Sequence, residues 1–512
     1  MGAGDGDGDE PRIRSLASIT GGASLYTVGK VVSDAGEFVL HLLVSRWLGA
    51  GPYGLFAYGK TLAFMTLLLT NLGADKSILK YLPQYADEPA TRRFLLGLAW
   101  FTSVCGAAAV TTLVFIFAPA IADRTIEDPQ FVAVIRLFAV ILFLDTIANL
   151  LYATFRALEI IEYEVATKRL LKPVLRVVAV GSAIAVGASV YGVVVAMGVT
   201  SAVTLAVASW LFVTRTEIRP SLAPPDGGQE TVRSYYNYSL PLTAKEAGTL
   251  MQGRMDVLLV GLFLSSTAVG VYNVSVLVGG LLYVPLLAFN QLFPPVAARL
   301  YAADALADLE TIYTVITRWI LSVSLLCAIA AIVYRVEILT LFGPEFTAGT
   351  TVLTLIVLSQ LCNCATGPSD YLLMMTDHQY VVMANEWVFG IANVALTVAL
   401  IGPLGIVGAA LASAGVLAVR NLAKVLEVWY FEGLHPYSRA FYKPIGAGIL
   451  AGGVMVAASQ LLSPLGAVAI GLPAGTLVYA GTLSTLGIEP IDYRVYSLLK
   501  RRSETDGAAS IA

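Results

Sequence analysis

The sequence predicts an all-α polytopic membrane protein of fourteen transmembrane helices, arranged as two six-helix parallel repeats around a central cleft with two further helices at the carboxyl end. Three observations carry that expectation. Of 512 residues, 57% are hydrophobic and only 13% charged, with a mean hydropathy of +0.76, far too apolar for a chain covered in polar side chains. The apolar residues fall into blocks of about 20, the length that crosses a hydrocarbon core as a helix. Finally, several short patterns return at a nearly constant offset in the second half of the chain.

Taken in order, residues 1–15 carry Gly-Asp repeats and read as a disordered acidic cytoplasmic tail, without the basic-then-apolar order of a signal peptide. An N-terminal half, 16–214, holds spans near 22–44, 54–72, 94–118, 131–152, 170–190 and 191–213, each bounded by charged or Pro/Gly-rich breaks. A polar cytoplasmic linker, 215–234, leads to a second half, 235–430, with spans near 239–262, 269–293, 315–334, 352–374, 380–401 and 405–425. Residues 431–490 hold two additional spans, near 445–462 and 465–486, and 491–512 form a cytoplasmic tail.

Charge asymmetry sets the orientation. With the amino terminus inside, most Lys and Arg fall on the cytoplasmic face, among them Arg92, Arg93, Lys168, Arg169, Lys172, Arg215, Arg219, Lys424, Lys443 and the Lys500 to Arg502 run. Arg46, Lys60, Arg124 and Arg335 are left outside, and Lys30, Arg136, Lys245 and Arg254 lie within spans. An odd number of misplaced helices would invert everything downstream. Both termini are therefore expected in the cytoplasm, with the chain a multi-pass protein of the cell (plasma) membrane.

Composition also excludes functions. The net charge of −3 gives no reason to expect nucleic acid as a partner. Cys105, Cys327, Cys362 and Cys364 all lie in apolar segments and supply no disulfide or metal framework. Connections are too short for a soluble domain that would hold a nucleophile, a base and metal carboxylates, so no enzyme is expected. The nearest acidic cluster, Asp123, Glu127 and Asp128, reads as a solvated loop before Pro129.

The first span breaks the apolar pattern with Lys30, Asp34, Glu37 and His41, spaced i, i+4, i+7, i+11. At 100° per residue these side chains fall in a stripe roughly 60° wide. Lys245, Thr249, Gln252 and Asp256 repeat the spacing 215 residues later. Leu48 to Phe56 matches Leu264 to Tyr272 at 216, and Tyr191 to Val194 matches Leu404 to Val407 at 213. Because six spans return the chain to its starting side, the repeats should be parallel, with helices one and seven lining the cleft. Charged residues within spans face a cavity or each other, since lipid exposure costs several kcal/mol.

The residues resemble the polysaccharide flippases of the multidrug/oligosaccharidyl-lipid/polysaccharide (MOP) superfamily. The likeness lies in Gly21-Gly22, in Arg46-Trp47-Leu48-Gly49 followed by Tyr53-Gly54-Leu55-Phe56, in Leu341-Phe342-Gly343-Pro344-Glu345-Phe346, and in Gly405-Ile406-Val407-Gly408-Ala409-Ala410. It covers essentially the whole chain. It implies fourteen spans in a six-six-two arrangement and movement of a polyprenyl- or dolichyl-phosphate-linked oligosaccharide from the cytoplasmic to the outer leaflet, with membrane lipids and glycosyltransferases of the same pathway as partners. An ion-coupled small-molecule (multidrug-type) exporter is the alternative within the same superfamily. No site residue carries over by motif.

Lys30 and Lys245 are the candidates for the substrate phosphate, a lysine being a compact cation suited to such a group. For Lys30 the competing reading is an intrahelical pair with Asp34. Asp34, Glu37, His41, Thr249, Gln252 and Asp256 are cavity residues, and the ionisable members of the first stripe could couple transport to H+ or Na+; no cofactor or metal is expected. Arg254 points about 180° from Lys245 and should pair with Asp145 or Glu386. Asn290, Gln291, Gln360 and Asn363 suit sugar hydroxyls, but interhelical hydrogen bonding accounts for them equally well. The Lys168 to Lys172 and Lys500 to Arg502 clusters are expected only to orient the chain and to meet anionic headgroups.

Overall fold

The computed structural model describes residues 10–126, 128–225, 227–487, 489 and 492; the side chains at 10–28, 245 and 249–252 lie outside that description. Its helices are α1 (Glu10–Leu48), α2 (Ala50–Asn71), α3 (Ala74–Gln84), α4 (Pro89–Arg124), α5 (Pro129–Ala157), α6 (Ile161–Glu164), α7 (Lys172–Ala185), α8 (Val190–Arg215), α9 (Gly228–Phe263) and α10 (Ser266–Gly280). There follow α11 (Val284–Ala302), α12 (Leu306–Val333), α13 (Arg335–Phe342), α14 (Thr350–Ala365), α15 (Ser369–Met375), α16 (Gln379–Glu432), α17 (Tyr442–Leu461), α18 (Pro464–Gly466) and α19 (Leu472–Thr485). A π-helical stretch, Val165–Leu171, joins α6 to α7 without a break.

Nine helical stretches among the described residues are long and apolar enough to cross a membrane, or ten when α2 and α3, bent by 42° to each other, count as one span. Only 11% of the most apolar window of α4 is buried, and Leu113, Phe115, Ile116 and Phe117 stand exposed along it. Side chains this apolar could not face water, so they face lipid, as befits a multi-pass membrane protein.

Several boundaries differ from the expected ones, for physical reasons. The first helix begins at Glu10, within the stretch assigned to the tail. Asp128, assigned to a solvated loop, accepts the Gln130 N–H at 2.8 Å as the N-cap of α5, with Pro129 in the first turn where its missing N–H costs nothing. The eleventh and twelfth expected spans are the two helices that make up α16, joined by a kink as expected between 401 and 405. Within it Gly405 stands at φ 58° and ψ −139°, a conformation only glycine adopts easily, and Pro403 removes a donor just before it, so the chain turns there.

The chain divides into two compact units. The first comprises residues 1–274, 341–348 and 393–409, the second the remainder. In the first, Tyr81, Trp100, Tyr152, Phe155, Phe212 and Tyr235 anchor an aromatic core where α3, α4, α5, α8 and the start of α9 meet. The Tyr81 hydroxyl donates to the Ser234 carbonyl at 3.1 Å, and the Thr70 and Thr146 hydroxyls lie 2.8 Å apart between α2 and α5. Residues 341–348 dock here too. Glu345 Oε2 accepts the Ala50 N–H at 2.8 Å at the start of α2, and Phe346 meets Tyr53 edge to face.

A close approach of α2 and α10 in this unit requires glycine. A Cβ on Gly54 would stand 1.7 Å from the Ser266 carbonyl oxygen, and a Cβ on Gly270 would stand 2.2 Å from that of Ala50. The contact is reciprocal, and its two sides are related by the 216-residue offset seen in the sequence.

In the second unit Phe293, Tyr313, Leu372, Leu373 and Val428 form one core, with the Tyr313 hydroxyl bonded to Ser369 Oγ at 2.7 Å. Tyr334, Met455 and Ala467 form another, and the Tyr479 hydroxyl donates to the Ser322 carbonyl at 2.8 Å, fixing α17 and α19 against α12. Several charges of this unit are paired. Lys424 meets Asp370 at 2.5 Å, Arg420 meets Glu386 at 3.6 Å, and Arg318 and Trp319 both donate to Asp492.

Candidate functional site

The charged stripe of α1 divides into two parts with different partners. Lys30 Nζ pairs with Asp34 Oδ2 at 2.8 Å on its own helix, both side chains partly exposed. That is the intrahelical reading of Lys30. One turn further, Glu37 and His41 turn instead toward α2, where Lys60 Nζ pairs with Glu37 Oε1 and lies 2.9 Å from His41 Nε2.

This corrects the assignment of Lys60 to the outside. It stands ten residues into α2, about 15 Å along the axis at 1.5 Å per residue, and is held there by Glu37 and His41 of α1. Its partner His41 is buried and contacts Tyr53 Oη through Nδ1 at 2.8 Å, while Asn273 Nδ2 donates to the same hydroxyl at 2.8 Å. His41 thus bridges the two helices, Nε2 facing Lys60 and, at 3.3 Å, Glu37 Oε1, and Nδ1 facing Tyr53. Rings of Tyr53 and Phe56 enclose the imidazole edge to face at 5.8 and 5.7 Å, excluding water from it.

A second polar centre joins α5, α7 and α8. Asp145 accepts from Lys172 Nζ at 2.7 Å through Oδ1 and from Arg176 Nη2 at 3.3 Å through Oδ2, and Arg176 reaches Ser201 Oγ at 3.2 Å. Here the sequence reading of Lys172 fails. Because the helix runs on from Ile161 through the π-helical stretch, Lys172 lies eleven residues inside it and its side chain is mostly buried. Arg254 was expected to pair with Asp145 or Glu386, but Lys172 and Arg176 hold the first and Arg420 the second. Arg254 acts electrostatically on His41, Tyr53, Lys60 and the carboxylate of Asp256.

The two centres belong to one field. Arg176, Arg254 and Lys172 all act on Lys60 as like charges. Four cations from α2, α7 and α9 thus share a field with three carboxylates, Glu37, Asp145 and Asp256. In a low-dielectric interior such an excess is costly without a counter-anion, and the arrangement is suited to receive one.

Of the remaining predicted positions, Asp256 also lies in the field of Arg254. Asp256 is buried against its own neighbourhood, accepting from the Tyr272 hydroxyl at 2.7 Å and the Val257 N–H at 2.8 Å. Lys245, Thr249 and Gln252 lie on α9, but their side chains are outside the described residues. Arg136 donates to the Phe115 carbonyl at 3.3 Å and stacks on that ring. In the second unit Asn290 is buried, and Asn363 donates to Gln360 on its own helix at 3.4 Å.

Sequence reasoning missed Lys60, Lys172 and Arg176. A signal for the last two was present: Lys168, Lys172 and Arg176 follow one another at i, i+4 intervals, the spacing that singled out the stripe on α1.

The sequence model of the polysaccharide biosynthesis protein family matches residues 19–300. Among curated proteins none matches the chain. Solved structures share its fold. An inward-facing multidrug resistance MATE family transporter of the MOP superfamily is 16% identical over 77% of this chain and 93% of its own, with a TM-score of 0.65. The lipid II flippase MurJ, in an inward closed conformation, is 12% identical over 90% of this chain and 98% of its own, with a TM-score of 0.68. A MOP superfamily transporter from Pyrococcus furiosus is 15% identical over 79% and 94%, with a TM-score of 0.51. At these identities the likeness is one of fold.

Proposed function

The chain belongs to the polysaccharide biosynthesis protein family, and from that premise we propose that it is a flippase carrying a polyprenyl- or dolichyl-phosphate-linked oligosaccharide from the cytoplasmic to the outer leaflet by alternating access. The observation that carries this reading is the excess of cations inside the N-terminal unit. Lys60, Lys172, Arg176 and Arg254 outnumber Glu37, Asp145 and Asp256, and a phosphate crossing an apolar core needs such compensation. Lys30 and Lys245, nearer the starts of the helices that carry His41 and Arg254, would meet the phosphate earlier on its path. The lipid tail would stay in the bilayer.

Fourteen spans in two parallel halves plus two belong to the proposal. Supporting it, α1, α7 and α9 occupy the positions of the expected first, fifth and seventh spans, and α16 turns at Gly405 between the eleventh and twelfth. The reciprocal contact of Gly54 and Gly270 is what a two-fold relation between repeats would produce. Plasma-membrane location with both termini cytoplasmic completes the reading, as do glycosyltransferases of the pathway as partners. Glu37, His41 and Lys60 form the connected route along which H+ or Na+ could give direction.

The same scaffold serves an ion-coupled exporter of small molecules, and the likeness to the MATE transporter fits that second reading. A cationic drug would be repelled by the cluster that attracts a phosphate. The two readings separate in a deletion strain. The flippase reading expects lipid-linked glycan to accumulate on the cytoplasmic leaflet, accessible to glycosidase only in inverted vesicles; retention of drugs with normal glycan would overturn it.

A further inference from the structure

At the far end of α2 from Gly51, the N-terminal unit contains a cavity of about 370 Å³, the size of a small-ligand pocket. Three kinds of surface line it. Phe64, Leu67 and Leu68 of α2 form an apolar floor. One wall is basic. Lys168 donates to Asn149 Oδ1 at 3.0 Å and stands 5.3 Å over the Tyr152 ring, while Arg156 is held at 2.9 Å by Glu164, a fully buried carboxylate. The opposite wall is rich in acceptors. Asn71 donates to Asp75 at 3.1 Å, and Lys76 fixes both Asp75 and Glu246.

Lys168 has further ammonium hydrogens beyond the one given to Asn149. Arg156, Arg169 and Lys172 act on it as like charges, with Glu164 opposing, so this wall carries positive charge in excess. Its position is equally telling. Lys168, Lys172 and Arg176 stand at successive intervals of four along one continuous helix, about 6 Å apart in rise, and lead from the cavity to the Asp145 centre.

From this geometry we propose that the cavity is a loading site for the phosphate ester of a prenyl-linked sugar, with Lys168 and Arg156 holding the phosphate, Phe64, Leu67 and Leu68 the first part of the prenyl chain, and Asp75 and Glu246 accepting hydrogen bonds from sugar hydroxyls. The assignment rests on the flippase reading for its orientation, which makes this mouth cytoplasmic. Lys172 and Arg176 receive the phosphate next, one and two helical turns deeper. The basic cluster that sequence analysis gave to headgroups and topology becomes the first step of a cationic ladder.

Protection of a single cysteine tests this locally. Leu68→Cys, in a full-length chain with Cys105, Cys327, Cys362 and Cys364 replaced and reconstituted into phosphatidylcholine nanodiscs, is labelled with a maleimide in the presence of farnesyl phosphate, farnesol or inorganic phosphate. Farnesyl phosphate is expected to slow labelling at concentrations at which the other two do not. Lys168→Gln should raise the half-protecting concentration at least about ten-fold, the worth of a charge-assisted hydrogen bond, and Lys168→Arg should largely restore it.

An unchanged midpoint in Lys168→Gln, or equal protection by farnesol, overturns the proposal. So does equal protection by phosphatidylglycerol added to the nanodiscs, which would make the site one for bulk lipid headgroups. The readout needs no transport. Lys168-dependent protection in a chain that fails to translocate lipid-linked sugar would sink the flippase reading alone, and translocation without that protection would sink the loading site alone.

Discussion

Lys60→Met is expected to reduce translocation of lipid-linked sugar by about a hundred-fold or more while the protein still inserts and folds. Lys60 is the hinge of the charge network: it holds Glu37, contacts His41 and shares its field with Lys172, Arg176 and Arg254. Removing one member of a buried hydrogen-bonded charge pair typically costs 3–5 kcal/mol, and each 1.4 kcal/mol of lost phosphate stabilisation is about a factor of ten. Part of the loss falls on stability, because Glu37 is left facing His41 without its cation. The double variant Lys60→Met with Glu37→Gln separates the two effects: it should recover thermal stability but not transport. Transport at more than about a tenth of the normal rate in the double variant would remove Lys60 from the phosphate path.

Joining the α2 and α10 starts covalently should stop transport altogether and reversibly. A Cβ at Gly51 would lie 3.5 Å from Thr267 Oγ1, so Gly51→Cys with Thr267→Cys brings two sulfurs within bonding reach. Alternating access requires the outer end of the path to open, and in the proposed orientation these helix starts form that end. Oxidation of the double variant, with the four native cysteines replaced, is therefore expected to bring translocation to background, and dithiothreitol to restore it. Each single cysteine serves as the control and should transport normally under oxidation. A fully crosslinked protein that still transports would show that this contact does not part during the cycle.

Part of this site was legible in the sequence. Helical periodicity alone gathered Glu37 and His41 on one face, and both belong to the charge network. The 216-residue offset paired Gly54 with Gly270, which the fold brings together at a distance no side chain would allow. What sequence could not supply was depth. A span starting near Gly54 leaves Lys60 less than two turns from its end, whereas the helix start at Ala50 puts it nearly three turns in.

The same error hid Lys172 and Arg176. A lysine and a proline at 172–173 look like the cytoplasmic edge of a span, whereas the π-helical stretch lets the helix run through them from Ile161. Pairing was also beyond reach. Asp145 was a plausible partner for Arg254 by type, but only the packing of α7 against α8 and α5 gives it to Lys172 and Arg176. Lys30, the residue that first drew notice, meets the carboxylate of its own helix, a contact that the i, i+4 spacing allowed from the start.

The proposed activity is movement of a phosphate-linked sugar lipid across a bilayer. Its most direct test is transfer in proteoliposomes holding only the purified protein and a fluorescent polyprenyl-diphosphate sugar, followed by quenching of the probe that reaches the outer leaflet. The account predicts rapid quenching of the whole probe population with the normal protein, and quenching limited to the initially exposed half with Lys60→Met or with the oxidised Gly51→Cys, Thr267→Cys pair. Equal, slow quenching with normal protein, variants and empty liposomes would contradict it.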